Sequence, residues 1–387
     1  MGIKIPLIVG IALLVSVVLL FGLEEPIEVK EGISQKTVRI LTPTETILVP
    51  EIHTSEIKEI KSSSIVEKIS EPSLSTQSFP FEAYAIIDSA VDQIDFLRYN
   101  VFPDIGVRQH AFDSNHNFFT TKFNEVINYD RGTGIKTIWT IPALGKERGF
   151  GSTTDSAGNY YFGQDNSILT KLVPSTDTFI QVLLKLPGTS FEFQYDTLEI
   201  SSSGEVLFMD RTFAGKVNFD TGDVTIWDQP LTVNDMVLDS NDNMYYVELH
   251  STGQKLYRLN PTTNVLTTWF LDSVRNAPQA MTIDNNDNVY IYVIGDTNAR
   301  IQKIDTTTNV FEEWIVPLEA SVSARSMAVD SAGTVYFLDN LSRLVPSTGK
   351  FTTWDIEARN RLVHVTVDSN DDLWISGQGF FGKITAP

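Results

Sequence analysis

The sequence predicts an all-β fold, a seven-bladed β-propeller of four-stranded blades, and three observations carry that prediction. A short pattern recurs seven times, beginning HAFDSNHNFFTTK, STTDSAGNYYFGQ, LEISSSGEVLFMD, MVLDSNDNMYYVE, MTIDNNDNVYIYV, MAVDSAGTVYFLD and VTVDSNDDLWISG. Its anchor residues Asp113, Asp155, Ser201, Asp239, Asp284, Asp330 and Asp368 lie 42, 46, 38, 45, 46 and 38 residues apart, a period that holds four short strands and their turns. A second register keeps the same period: Trp139, Trp227, Trp269, Trp314 and Trp354 each end a unit. No helical periodicity follows the first segment, which excludes helical solenoids of similar repeat length.

The chain divides into three parts. Residues 1–23 contain the uncharged run Ile5 to Gly22, about long enough to cross the hydrocarbon as one helix. The run ends in Val-Leu-Leu-Phe-Gly-Leu-Glu-Glu, and bulky residues at the positions that a signal peptidase reads favour an anchor over a cleaved signal. Lys4 precedes the run while Glu24, Glu25 and Glu28 follow it, so the amino terminus is expected inside and the rest of the chain outside the cytoplasm. Residues 24–80 carry no aromatic before Phe79 and are rich in Ser, Thr, Glu, Lys and Ile. So little burial does not offset the entropy of ordering, and the segment is expected to be a flexible, acidic stalk. Residues 81–387 hold the repeats.

Within a unit the strands follow from alternation and turn chemistry. Met281 to Asp284 alternates, Asn285 to Asn288 is a polar turn, and Val289 to Val293 is β-branched and aromatic. Arg300 to Ile304, the turn Asp305 to Asn309, and Val310 to Val316 complete four strands. The seventh unit supplies only three before the chain ends. Asp95 to Pro103 resembles a fourth strand and is predicted to close the ring by pairing in the last blade, leaving no radial edge open.

Composition narrows the functions. Lysine and arginine number 29 against 49 aspartates and glutamates, a formal charge of −20, which argues against nucleic acid and against docking on an anionic membrane through a basic patch. With no cysteine, disulfides, zinc–cysteine sites and thiol catalysis are excluded. No phosphate loop, nucleophile elbow or His-Glu-x-x-His is present, and no organic cofactor is expected.

The unit D-x-x-G/N followed by alternating hydrophobic and aromatic residues, and ending in T-T-W, resembles the virginiamycin B lyase (streptogramin lyase) propeller family. Asp239 to Trp269 and Asp330 to Trp354 carry the resemblance best. In that family a glutamate falls nine residues after the repeated aspartate. The resemblance implies a metal-assisted elimination by that glutamate and two histidines, opening a cyclic depsipeptide at an ester. The same offset here selects Lys122, Gln164, Asp210, Glu248, Val293, Asp339 and Gly377. Glu248 and His250 have the family's Glu-x-His spacing, one strand period apart. They are the catalytic candidates, Glu248 as metal ligand and His250 as base. The sequence departs from the pattern at Thr212, where the second histidine would stand.

Other groups are expected near the same mouth. Glu248 and Asp210 would hold Mg²⁺ or Ca²⁺ through oxygen, with Asp339 further round the ring; a polar, water-filled channel is the other reading. Arg325 and Arg108 precede first strands, where they could take a carboxylate or sulfate, and Lys122, Gln164 and Asp339 complete the ligand-binding candidates. The Asp-x-Asn-x-Asn loops read as structural turns, the tryptophans as blade-to-blade packing, and His110 and His364 as packed histidines of the inner strands. The expected function is recognition of a small molecule, glycan or cell-surface protein at one mouth of the ring. A metal-assisted lyase or lactone hydrolase and a structural envelope component are the alternatives.

Overall fold

In this computed structural model the described residues include strands within 36–68, the strand Asp95–Asn100, and most of the chain from residue 110 on. Loops 143–149, 185–196, 210–212, 229–232, 249–253, 273–276, 317–325 and 354–361 are among the segments outside that set. The apolar run of residues 5–22 also lies outside it. No helix among the described residues is long and apolar enough to cross a membrane.

Seven antiparallel sheets follow one another along the chain; in six of them the four blade strands run in sequence order from the inside outwards. Blade 5 shows the plan with Ala277–Ile283, Asn288–Ile294, Ala299–Asp305 and Val310–Ile315, the strands read from the pattern to within a few residues. In three blades the second strand is buried throughout: Tyr160–Gln164, Val206–Met209 and Val335–Leu338 present no exposed residue. Both faces of such a strand meet a neighbouring blade, which is why it reads as a continuous apolar run. One hydrophobic cluster, for example, joins Tyr245 and Val247 of blade 4 to Val289, Ile291 and Val293 of blade 5.

The ring closes as the sequence predicts. Asp95–Asn100 pairs antiparallel with Phe380–Thr385, from Asp95 opposite Thr385 to Asn100 opposite Phe380. Asp95–Asn100 thus supplies the outermost strand of blade 7 and ties the two ends of the propeller together.

The repeated turns are latches. In blade 4 the Asp239 carboxylate accepts the amides of Asn241 and Asn243, both at 2.9 Å, the Asn243 side-chain amide at 2.7 Å and the Tyr245 hydroxyl at 3.2 Å. These carboxylate oxygens are engaged by their own turn, as the structural reading of the loops expects. The exposed aspartate of the next turn then reaches across a seam: Asp242, Asp287 and Asp371 accept both the backbone amide and the hydroxyl of Ser202, Ser240 and Ser331 in the preceding blade. All three adopt left-handed backbone conformations, with φ near +61°, which a short polar side chain tolerates. The tryptophans pack between blades and also bond across them. Trp139, Trp227 and Trp269 donate to Asp177, Asn264 and Asn309 at 2.7, 2.9 and 2.9 Å. Trp354 lies outside the described residues.

The segment expected as a flexible stalk carries five short strands. Lys36–Ile40 pairs with the outermost strand of blade 5, Pro43–Leu48 with that of blade 4, and Glu51–His53 with that of blade 3. Ile57–Lys61 and Ser64–Lys68 continue onto blades 2 and 1. The chain runs backwards around the rim and adds a fifth strand to five consecutive blades. Composition does not exclude this, because an added edge strand draws on backbone hydrogen bonds of a sheet already formed and needs no core of its own.

Candidate functional site

The inner strands surround a channel, and between blades 7, 1, 2 and 3 it opens into a cavity of about 520 Å³. Its lining includes His110, Phe112, Ser152, Thr154, Glu199, His364 and Thr366, with Asp113, Asp155 and Asp368 at the end where the first two strands of each blade turn.

Two histidines form the wall at the closing seam. His110, from the first strand of blade 1, and His364, from that of blade 7, meet edge to face with centroids 4.4 Å apart. His110 also stacks on Phe118 at 5.4 Å, and the Ser376 hydroxyl lies 3.0 Å from its Nδ1. Burial and then the neighbouring His364 hold His110 well below the usual imidazole range. Burial pushes His364 down to about 4. Both rings are therefore neutral at physiological pH, as expected of packed histidines. His364 nevertheless keeps one buried ring nitrogen, Nδ1, without a hydrogen-bond partner among the described residues.

Blade 3 brings a carboxyl group, Glu199, to the cavity, with Asp235 of blade 4 next to it. Asp235 of blade 4 accepts the Met281 amide of blade 5 at 2.7 Å, the Met236 amide at 2.9 Å and the Thr197 hydroxyl of blade 3 at 3.2 Å. One carboxylate thereby fastens three inner strands. Glu199, two residues after Thr197, is only partly covered and faces the cavity. Burial first, then the charge of Asp235, pushes its carboxyl up to about 8.

Of the predicted site residues, Glu248 and Gln164 are described with their side chains, and neither lines this cavity. Glu248 ends the second strand of blade 4, where the Tyr257 hydroxyl donates to it at 2.8 Å and Lys255 lies 3.9 Å away. Tyr257 is itself stacked on Tyr246, so the carboxylate is fixed at the seam of blades 3 and 4. Gln164 is buried, its amide oxygen accepting Thr170 at 2.7 Å and Gln181 at 3.0 Å. It belongs to the interior of blade 2. Lys122 closes a strand opposite Glu125, and its side chain is not described. His250, Asp210, Asp339, Arg325 and Arg108 lie outside the described residues. Among the described residues no three histidine or acidic side chains cluster as a metal site.

Glu199 escaped the sequence reading, yet a signal exists. Two positions before the repeated anchor, the other units carry Ala111, Thr153, Val237, Thr282, Ala328 and Thr366, so Glu199 is the one ionisable residue at that position.

Fold and channel together define a seven-bladed propeller with a polar axial cavity. Similar solved structures share that ring. A streptogramin B lyase is 17% identical with a TM-score of 0.63, over 76% of this chain and 98% of its own. The virginiamycin B lyase of Staphylococcus aureus is 14% identical with a TM-score of 0.63, over 76% of this chain and 99% of its own. The extracellular domain of a putative hybrid two-component system from B. thetaiotaomicron is 14% identical with a TM-score of 0.51, over 74% of this chain and 39% of its own. At such identities the likeness shows the fold. No protein-family model matches the sequence, and no curated protein matches it.

Proposed function

We propose that this chain is an exported propeller, held at the membrane by residues 5–22, that works by recognition in its central channel. Of the occupants a ring mouth can take, a small molecule suits it best. The observation behind this reading is the cavity of about 520 Å³, within the range of sites that enclose small ligands, walled by polar groups and aromatic rings. The test is a thermal-shift screen of the full chain against saccharides, organic cations and carboxylates, repeated with Thr366→Phe, which narrows the cavity. At least one class should raise the melting temperature of the wild type and leave the narrowed variant unchanged. If no class does so, the recognition reading fails.

A metal-assisted lyase or lactone hydrolase at Glu248 and His250 is the second reading. Its support is the shared ring of the streptogramin lyases and the fixed Glu248 carboxylate beside Tyr257. Titration of Mg²⁺ and Ca²⁺ into the full chain decides it. One saturable site lost in Glu248→Ala supports the enzyme, and no binding of either ion removes its electrophile.

A further inference from the structure

We propose that the channel cavity is a binding site for a small organic ammonium ion, seated on the Glu199 carboxylate against the rings of Phe112 and His364. The inference rests on the reading that the channel takes a small ligand, and it names the chemistry of that ligand.

Charge selects the class. The described lining contains the carboxyl groups of Asp113, Asp155, Asp368 and Glu199 and no lysine or arginine. The three aspartates accept the amides of their own turns at the mouth. Carboxylate and phosphate ligands would find carboxyl groups and no cation on this lining, which disfavours them. Glu199 has no hydrogen-bond or ion-pair partner among the described residues, and Asp235 stands beside it as a second negative group. A carboxyl so placed is neutral until a cation arrives, and a ligand carrying that cation stabilises the ionised form.

The walls supply the remaining features. Phe112 lies 5.2 Å from Trp374 and 5.9 Å from His110, centroid to centroid, so aromatic rings crowd one side of the cavity. Rings of this kind attract organic cations through their π faces. The Nδ1 of His364, without a partner among the described residues, can accept an N–H, which removes the cost of a buried nitrogen left without a bond. Ser376 already fixes His110, so that part of the wall is formed before the ligand enters.

The experiment is calorimetric titration of the full chain at pH 8.5 with tyramine and with spermidine, using glucose and glutarate as neutral and anionic controls. Two variants accompany the wild type. Glu199→Gln removes the charge with little change of shape, and Ser114→Arg places a cation at an exposed lining position of the mouth. At least one amine should bind with a single saturable site while glutarate does not. Glu199→Gln should weaken that binding at least tenfold, and Ser114→Arg several-fold. If Glu199→Gln does not fold, Ser114→Arg alone decides the matter. No amine binding, or unchanged amine affinity in a folded variant, overturns the inference. Binding of glucose without either amine overturns the ammonium class and leaves channel recognition standing. Silence of all four probes together with a silent thermal-shift screen sinks both.

Discussion

Replacing Glu199 with glutamine tests the acidic wall through stability, without reference to any ligand. In the unfolded chain this carboxyl loses its proton near 4.5, and in the folded ring near 8. Between those values the native state holds a proton that the unfolded state has released. Stability contributed by the protonated form is complete below about 4.5 and is lost as pH rises through 8. Each pH unit in that window corresponds to about 1.4 kcal/mol. The limiting loss is therefore on the order of 5 kcal/mol, and water in the cavity reduces it to roughly half. His364 slopes the other way. Its folded value near 4 lies below the unfolded 6.5, so its contribution is present above 6.5 and lost as pH falls towards 4. The interval from pH 6.5 to 8 thus isolates Glu199, faced there by Asp235 across the seam, by His110 and His364 on the other wall and by Asp113, Asp155 and Asp368 at the mouth. Urea unfolding of the full chain across that interval is the assay. Wild type should lose roughly 1–2 kcal/mol more than Glu199→Gln, and the two should converge near pH 5. Parallel curves would refute the assignment of a raised carboxyl to this position.

Other substitutions probe the ring and its strap. A Cβ added at Gly215 would lie 2.2 Å from Cζ of Phe208, so Gly215→Ala should destabilise by about 1–3 kcal/mol or more, read as a lower urea midpoint. Trp269→Phe keeps most of the buried ring but removes the donor to Asn309, and should cost about 1 kcal/mol in the same assay. His364→Asn should flatten the acid limb of stability between pH 6.5 and 4, checked by thermal melting across that range. Removing residues 1–69 uncovers the outer strands of blades 1 to 5, so amide exchange at Val310–Ile315 and Val265–Asp272 should accelerate and the truncated ring should self-associate. Unchanged exchange at those strands would show that the strap does not pair in solution.

The blades were legible because their physics repeats. An aspartate turn, a β-branched run and a tryptophan recur at one spacing, and each copy reports the same local structure. Tryptophan positions even anticipated the seams, although the Asn and Asp acceptors in left-handed turns of the next blade became visible only in three dimensions. Ring closure through Asp95–Asn100 could be read because seven units with one strand missing leave a single gap to fill. Residues 36–68 were unreadable for the opposite reason. Thr37-Val38-Arg39-Ile40 has the alternation of a strand, but composition cannot tell a strand that borrows an edge from a tether that finds none.

The candidate site was less legible because family spacing and cavity lining select different ends of the strands. The nine-residue offset follows the second strand of a blade to its far end, where Glu248 lies beside Tyr257 at a seam between blades. The cavity is walled by first strands, whose chemistry varies from blade to blade because the turns and tryptophans already hold the ring together. At the position two before the anchor the repeat accepts Ala, Thr or Val, and it tolerates Glu199 only because the side chain meets space there instead of a packed neighbour. A carboxyl at a position where the other units carry Ala, Thr or Val sets this wall of the channel apart. Asp235 and His364 make the same point from equivalent places four residues before their anchors. Asp235 is absorbed by three hydrogen bonds that join blades 3, 4 and 5, whereas His364 keeps a nitrogen with no partner among the described residues. Structural demand therefore accounts for Asp235 and leaves Glu199 and His364 over, on facing walls of one cavity, and it is this remainder that the amine titration and the Glu199→Gln variant address.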